Sequence, residues 1–83
     1  MEISKGMILK HRHINMFVRV GYKINSDKIL HRLEEVSLYT DGWGRTYYTG
    51  IFCNNNFMAD EEKIRKLYTP LPNSITFIGS LND

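Results

Sequence analysis

Polar and apolar residues alternate most cleanly over Asn15-Met16-Phe17-Val18-Arg19-Val20-Gly21-Tyr22-Lys23-Ile24. Met16, Val18, Val20, Tyr22 and Ile24 fall on one side of a period-two pattern and Phe17, Arg19, Gly21 and Lys23 on the other. That is the signature of a half-buried strand, with the first set facing the core. Met7-Ile8-Leu9-Lys10-His11, set off by Gly6, predicts a shorter strand upstream. Asn25-Ser26-Asp27 supplies turn chemistry, because these side chains bond nearby backbone. Residues 28–40 carry two patterns. Ile29, Leu33 and Val36 fit a helical stripe capped by Ser26 or Asp27, whereas Val36-Ser37-Leu38-Tyr39-Thr40 is β-prone. A long, partly irregular strand is the favoured reading.

Asp41-Gly42-Trp43-Gly44 then reads as a turn, since glycine takes positive φ at no steric cost. The stretch Arg45-Thr46-Tyr47-Tyr48-Thr49-Gly50-Ile51-Phe52-Cys53 is the most β-rich of all, so a hairpin is expected around the tryptophan. Asn54-Asn55-Asn56 predicts a loop. Asp60-Glu61-Glu62 followed by Lys63, Arg65 and Lys66 places acids first and bases last, as a helix dipole favours. Ile64, Leu67 and Tyr68 give that helix an apolar stripe, and Thr69-Pro70-Leu71-Pro72 ends it. Ser74 to Gly79 reads as a closing strand, and Ser80 to Asp83 is expected to fray. The predicted order is four strands, one short helix and a last strand, in one domain spanning 1–83.

This order resembles the SH3-like small barrels. The resemblance is architectural and is carried by Lys5-Gly6-Met7-Ile8-Leu9-Lys10-His11, the strand Phe17–Ile24, the hairpin from Asp41-Gly42-Trp43-Gly44 to Tyr47-Tyr48, and the helical turn Asp60–Tyr68. It implies a mainly β fold with one short helix: a small five-stranded SH3-like barrel or a strongly curled antiparallel sheet. Compact chains with nine isoleucines, seven asparagines and no catalytic signature also resemble small accessory proteins of bacteriophages. That resemblance implies a protein that binds and modulates a host macromolecule.

The chain has 83 residues, of which 42% are hydrophobic, 12% aromatic and 24% charged. This excludes a disordered tail, a collagen-like repeat or a bare coiled coil. A chain of this length buries only roughly 60–65% of its unfolded surface, which leaves little room for a deep active site. One cysteine, Cys53, admits neither an internal disulfide nor a cysteine-based zinc site, and in strand context it reads as a core thiol. With no signal-like N-terminal run and no apolar stretch of membrane-spanning length, a cytoplasmic protein without membrane contact is expected. Net charge is +2, divided as +5 over residues 1–33 and −3 over 34–83. Folding interleaves the two halves, so this polarity carries little weight.

Two clusters remain as candidate chemistry. Lys10-His11-Arg12-His13 is a basic strand end. His11 and His13 share a face, but with only His31 besides them they make no metal site, and no cofactor is expected. Around the turn, Trp43, Arg45, Tyr47 and Tyr48 offer either a plug over the barrel end or an interface anchor, and alternation allows only one of the two tyrosines to face inward. The leading expectation is a non-catalytic protein whose partner, a host protein, contacts Trp43, Arg45 and Tyr48, with Lys10 and Arg12 steering the approach. The alternative is nucleic-acid binding, with Lys10, Arg12, Arg19 and Lys23 as a phosphate track and Trp43 as a stacking platform. The acids Glu34, Glu35, Asp41, Asp60, Glu61 and Glu62 offer a docking face for a basic partner. Glu34 and Glu35 point to opposite sides of an extended chain, and nothing supplies the raised pKa that carboxylate catalysis needs. Pairing of an edge strand with a second copy is also left open.

Overall fold

A computed structural model of the protein describes residues 1–48 and 55–71, together with the backbone of 76–77. Gly6, at φ +93°, turns the chain into β1 (Ile8–His11). β2 (Phe17–Asn25) and β3 (Ile29–Val36) follow as an antiparallel pair joined through Ser26, Asp27 and Lys28. Ser37 alone separates β3 from β4 (Leu38–Thr40), which pairs with β5 (Thr46–Tyr48) across the tryptophan turn. Beyond it lie β6 (Asn56–Asp60), α1 (Glu61–Leu67), β7 (Tyr68–Pro70) and β8 (Thr76–Phe77).

Two sheets result. The larger is antiparallel throughout, in the order β6-β3-β2-β1-β7; the smaller is β4-β5-β8, with β8 parallel to β5. The larger sheet buries side chains on both faces. On one, Leu9, Val18, Val20, Leu33 and Ala59 pack against Ile64 of α1 and Tyr68. On the other, Ile8 and Val36 meet Tyr48 of the small sheet, with Phe17, Leu38 and Leu71 around them. Asp60 caps α1 by accepting from the Lys63 N–H at 2.8 Å, and the acids at its start and bases at its end complement the dipole.

The architecture is mainly β with one short helix, as the sequence predicts, and residues 28–40 are strand. Four expectations change. Val18 and Val20 do face the core, but a register shift between Val20 and Lys23 breaks the alternation. Past it Tyr22 is 48% exposed and Ile24 is also exposed, because a bulge re-aims the side chains that follow it. Phe17 and Arg19 do not face open solvent, since the small sheet covers their side. Phe57, Met58 and Ala59, expected in no element, form β6 on β3. Thr69 and Pro70 do more than end the helix: they enter an edge strand, where proline's missing N–H costs no ladder bond.

Among the described residues no ladder joins β6 to β7, the step that would close a barrel. The expected strand through 45–53 is described as far as Tyr48, and that through 74–79 at Thr76–Phe77. The remainder of both, Cys53 and the C-terminal residues lie outside the described residues.

Candidate functional site

Alternation along β4 and β5 sorts the hairpin into two sides. Leu38 and Tyr48 are cross-strand partners and turn toward the core; Thr40 and Thr46 continue that side of the ribbon beyond the core, Thr40 exposed, with their hydroxyls 3.4 Å apart. Tyr39, Asp41, Trp43, Arg45 and Tyr47 therefore point outward. The turn is organised by one carboxylate. Asp41 Oδ1 accepts from the backbone N–H groups of Trp43 and Arg45, and Oδ2 accepts from Arg45 Nε and the Tyr47 hydroxyl, all at 2.9 Å. Backbone bonds from Asp41 N to Arg45 O and from Gly44 N to Asp41 O close the loop, with Gly44 at φ +80°. Partial desolvation pushes the Asp41 carboxyl upward, but the donors outweigh it and hold the group at about 2. Burial and the bond to Asp41 together raise the Tyr47 phenol.

What this turn presents is a row of flat groups. Trp43 is 83% exposed. The Arg45 guanidinium lies 5.4 Å from the indole centroid and 5.6 Å from that of Tyr47, and the Tyr47 ring is 5.6 Å from Tyr39. Only the backbone and Nε of Arg45 are engaged; its two Nη groups have no partner among the described residues, and the side chain is 63% exposed. The cation thus lies against two rings, one of them the exposed indole, a grouping of the kind that can anchor a contact.

The residues singled out from the sequence fall in separate places. Trp43 and Arg45 share the patch, and the plug reading of Trp43 does not hold. Tyr48 does not join them: it faces inward, beneath Arg19, whose guanidinium lies 5.9 Å from its ring. Tyr39 and Tyr47 occupy the flanking positions instead. Tyr47 belongs to the cluster the sequence predicts, with Tyr48 preferred to it as the contact residue; Tyr39 is not in that cluster, although 39, 41, 43, 45 and 47 show the same period-two spacing that marks β2. Asp41, read as an acid offered to a basic partner, is consumed within its own turn.

Lys10 lies near the C-terminal end of β1 and Arg12 just past it. Lys10 Nζ donates to the His11 carbonyl and sits 5.9 Å from the Phe17 ring, while Arg12 donates to the Arg65 carbonyl of α1. Among the described residues no bond or ring contact joins either to the hairpin. Arg19 is no part of a free phosphate track. Its Nε and an Nη reach Glu34 Oε1 at 3.0 and 2.7 Å, and Arg32 approaches the other oxygen at 3.3 Å. Arg19, Glu34, Tyr22 and Lys5 border an open cleft of about 390 Å³. Lys23 is exposed, opposite His31 in the ladder.

His31 is buried with its Nε2 2.8 Å from Glu61 Oε2, and that bond holds the Glu61 carboxyl below its ordinary value. His11 Nδ1 accepts from the N–H groups of His13 and Ile14, which organises the turn after β1. Among the described residues no group of three or more His, Cys, Asp or Glu is placed to hold a metal ion. No helix there is long and apolar enough to cross a membrane. No protein-family model, curated protein or solved structure matches the chain.

Proposed function

We propose that the protein is a non-catalytic binding module that docks on another protein through the β4–β5 hairpin, in the manner of a phage accessory protein acting on a host protein in the host cytoplasm. One observation carries this reading: a tryptophan 83% exposed on a turn locked by four hydrogen bonds to one carboxylate. Exposing an indole costs a small domain apolar area it could otherwise bury, and organising its loop so fully reduces the ordering entropy lost on binding. Trp43 and Arg45 anchor the contact, with Tyr39 and Tyr47 beside them. Steering by Lys10 and Arg12 is a weaker element, since both are tied elsewhere. The SH3-like barrel belongs to this proposal too, supported by the β1–β2–β3 meander and the single helix set before a late strand.

Affinity capture from a bacterial host tests the reading, with wild type and Trp43→Ala compared, with and without nuclease, at low and high salt. A host protein retained by wild type through nuclease and salt, and lost with a folded Trp43→Ala, is the expected result. Capture that disappears with nuclease or salt transfers the function to nucleic acid and to Lys10, Arg12, Lys23 and Trp43. Equal capture by both proteins removes the hairpin from the contact.

A further inference from the structure

We infer that the partner segment presents a carboxylate to Arg45 and, two residues away along an extended chain, an apolar side chain to Trp43. This rests on the hairpin being the docking surface and adds the chemistry of what it takes. Asp41 binds Arg45 through Nε alone, which fixes the guanidinium plane and leaves both Nη groups unpartnered among the described residues. Trp43 and Tyr47 flank that plane at 5.4 and 5.6 Å. A guanidinium oriented in this way offers the parallel N–H pair that a carboxylate accepts in bidentate fashion.

The indole is the adjacent anchor. Residues i and i+2 of an extended segment project to the same side about 7 Å apart, so a segment whose acid meets the outer edge of the Arg45 guanidinium can lay its next same-side residue on the adjoining indole. Donor geometry favours a carboxylate over a nucleic-acid backbone. Arg45 offers one fork of N–H donors, the match of a single carboxylate, whereas phosphate tracks need several cations in line. Two of the cations that the nucleic-acid alternative would line up are engaged elsewhere: Arg19 with Glu34, Arg12 with the end of α1.

Panning a random linear peptide library on the immobilised protein, with Trp43→Ala and Arg45→Ala as counter-selections, tests this. Circular dichroism of each variant establishes that it is folded. The expected enriched peptides carry Asp or Glu two positions from a large apolar residue. Replacing that acid by its amide should weaken binding to wild type at least tenfold and leave binding to Arg45→Ala unchanged. Arg45→Lys, which keeps the charge but not the fork, should behave like Arg45→Ala.

Peptides without acids, or amide versions that bind equally, overturn the inference; if Trp43→Ala still loses them, the hairpin reading survives without it. Peptides that bind both alanine variants as well as wild type overturn the hairpin reading itself. No enrichment over the counter-selections also overturns the inference. Tight, steeply salt-dependent binding of a twenty-nucleotide oligothymidylate that displaces the peptides overturns it in favour of nucleic acid.

Discussion

Asp41 is a small residue with a large share of the site resting on it. Its carboxylate is the fixed point from which Trp43, Arg45 and Tyr47 take their positions, so its protonation is expected to loosen all three together. Because its folded pKa of about 2 lies below the 3.8 ordinary for an aspartate, the stabilisation it provides is present above pH 4 and is lost as pH falls through about 2. Thermal unfolding of wild type and Asp41→Asn should therefore differ at pH 6 and converge toward pH 2. Trp43, the one tryptophan of the chain, gives an optical report of the same event. Trp43→Ala should change stability by less than about 0.5 kcal/mol in denaturant titration, as for exposed positions generally, while removing binding. The two glycines beside it look equivalent in sequence but are not. Gly44 sits at φ +80° and Gly42 does not, though each has open space around its Cα. Gly44→Ala should cost about 1 kcal/mol and Gly42→Ala almost nothing.

Among the elements, α1 and β2 mark the limits of local reading. The helix was legible because everything that forms it lies within nine residues: an acidic cap, ordered charges and one apolar stripe. Removing the cap with Asp60→Ala is expected to lower stability by about 1 kcal/mol, measured by urea unfolding at constant m-value. The strand was legible only as far as Gly21. Beyond it the alternation continues in the letters but not in space, since the bulge arises from how β2 pairs with β3, a partner some ten residues on. Phe17 failed for a related reason, because the small sheet that covers it is assembled from residues 38–48 and 76–77. β6 and β7 are short strands without a periodic signal of their own; pairing with β3 and β1 makes them. In the hairpin, the turn and Trp43 were readable from glycine spacing. Which of Tyr47 and Tyr48 faces outward was settled by Leu38, across the ladder from Tyr48.

For the molecule as a whole, the +5 and −3 halves interleave as anticipated. β3 brings Glu34 between Arg19 and Arg32, turning a contrast along the chain into an ion cluster between two sheets. Glu34 is buried with its guanidinium partners only partly so. Glu34→Ala should thus destabilise by about 2 kcal/mol, less than the 3–5 typical when a fully buried pair is broken. Its effect should also persist at 1 M salt, where exposed pairs such as Lys28–Asp60 contribute little. Those two measurements separate a structural cluster from surface electrostatics.

The hairpin that bears the patch has one further consequence, and it concerns heredity. Core and surface are written on alternate positions of one short ribbon: 38 and 48 inward, 39, 43, 45 and 47 outward. If the hairpin docks as proposed, a substitution at an outward position changes recognition and leaves the interior alone. A single codon inserted ahead of Leu38 exchanges the two sets, driving the arginine and tryptophan inward and the core tyrosine out. Lineages of this protein should accordingly diversify their targets by point mutation, while the distance from Val36 to Tyr48 stays constant.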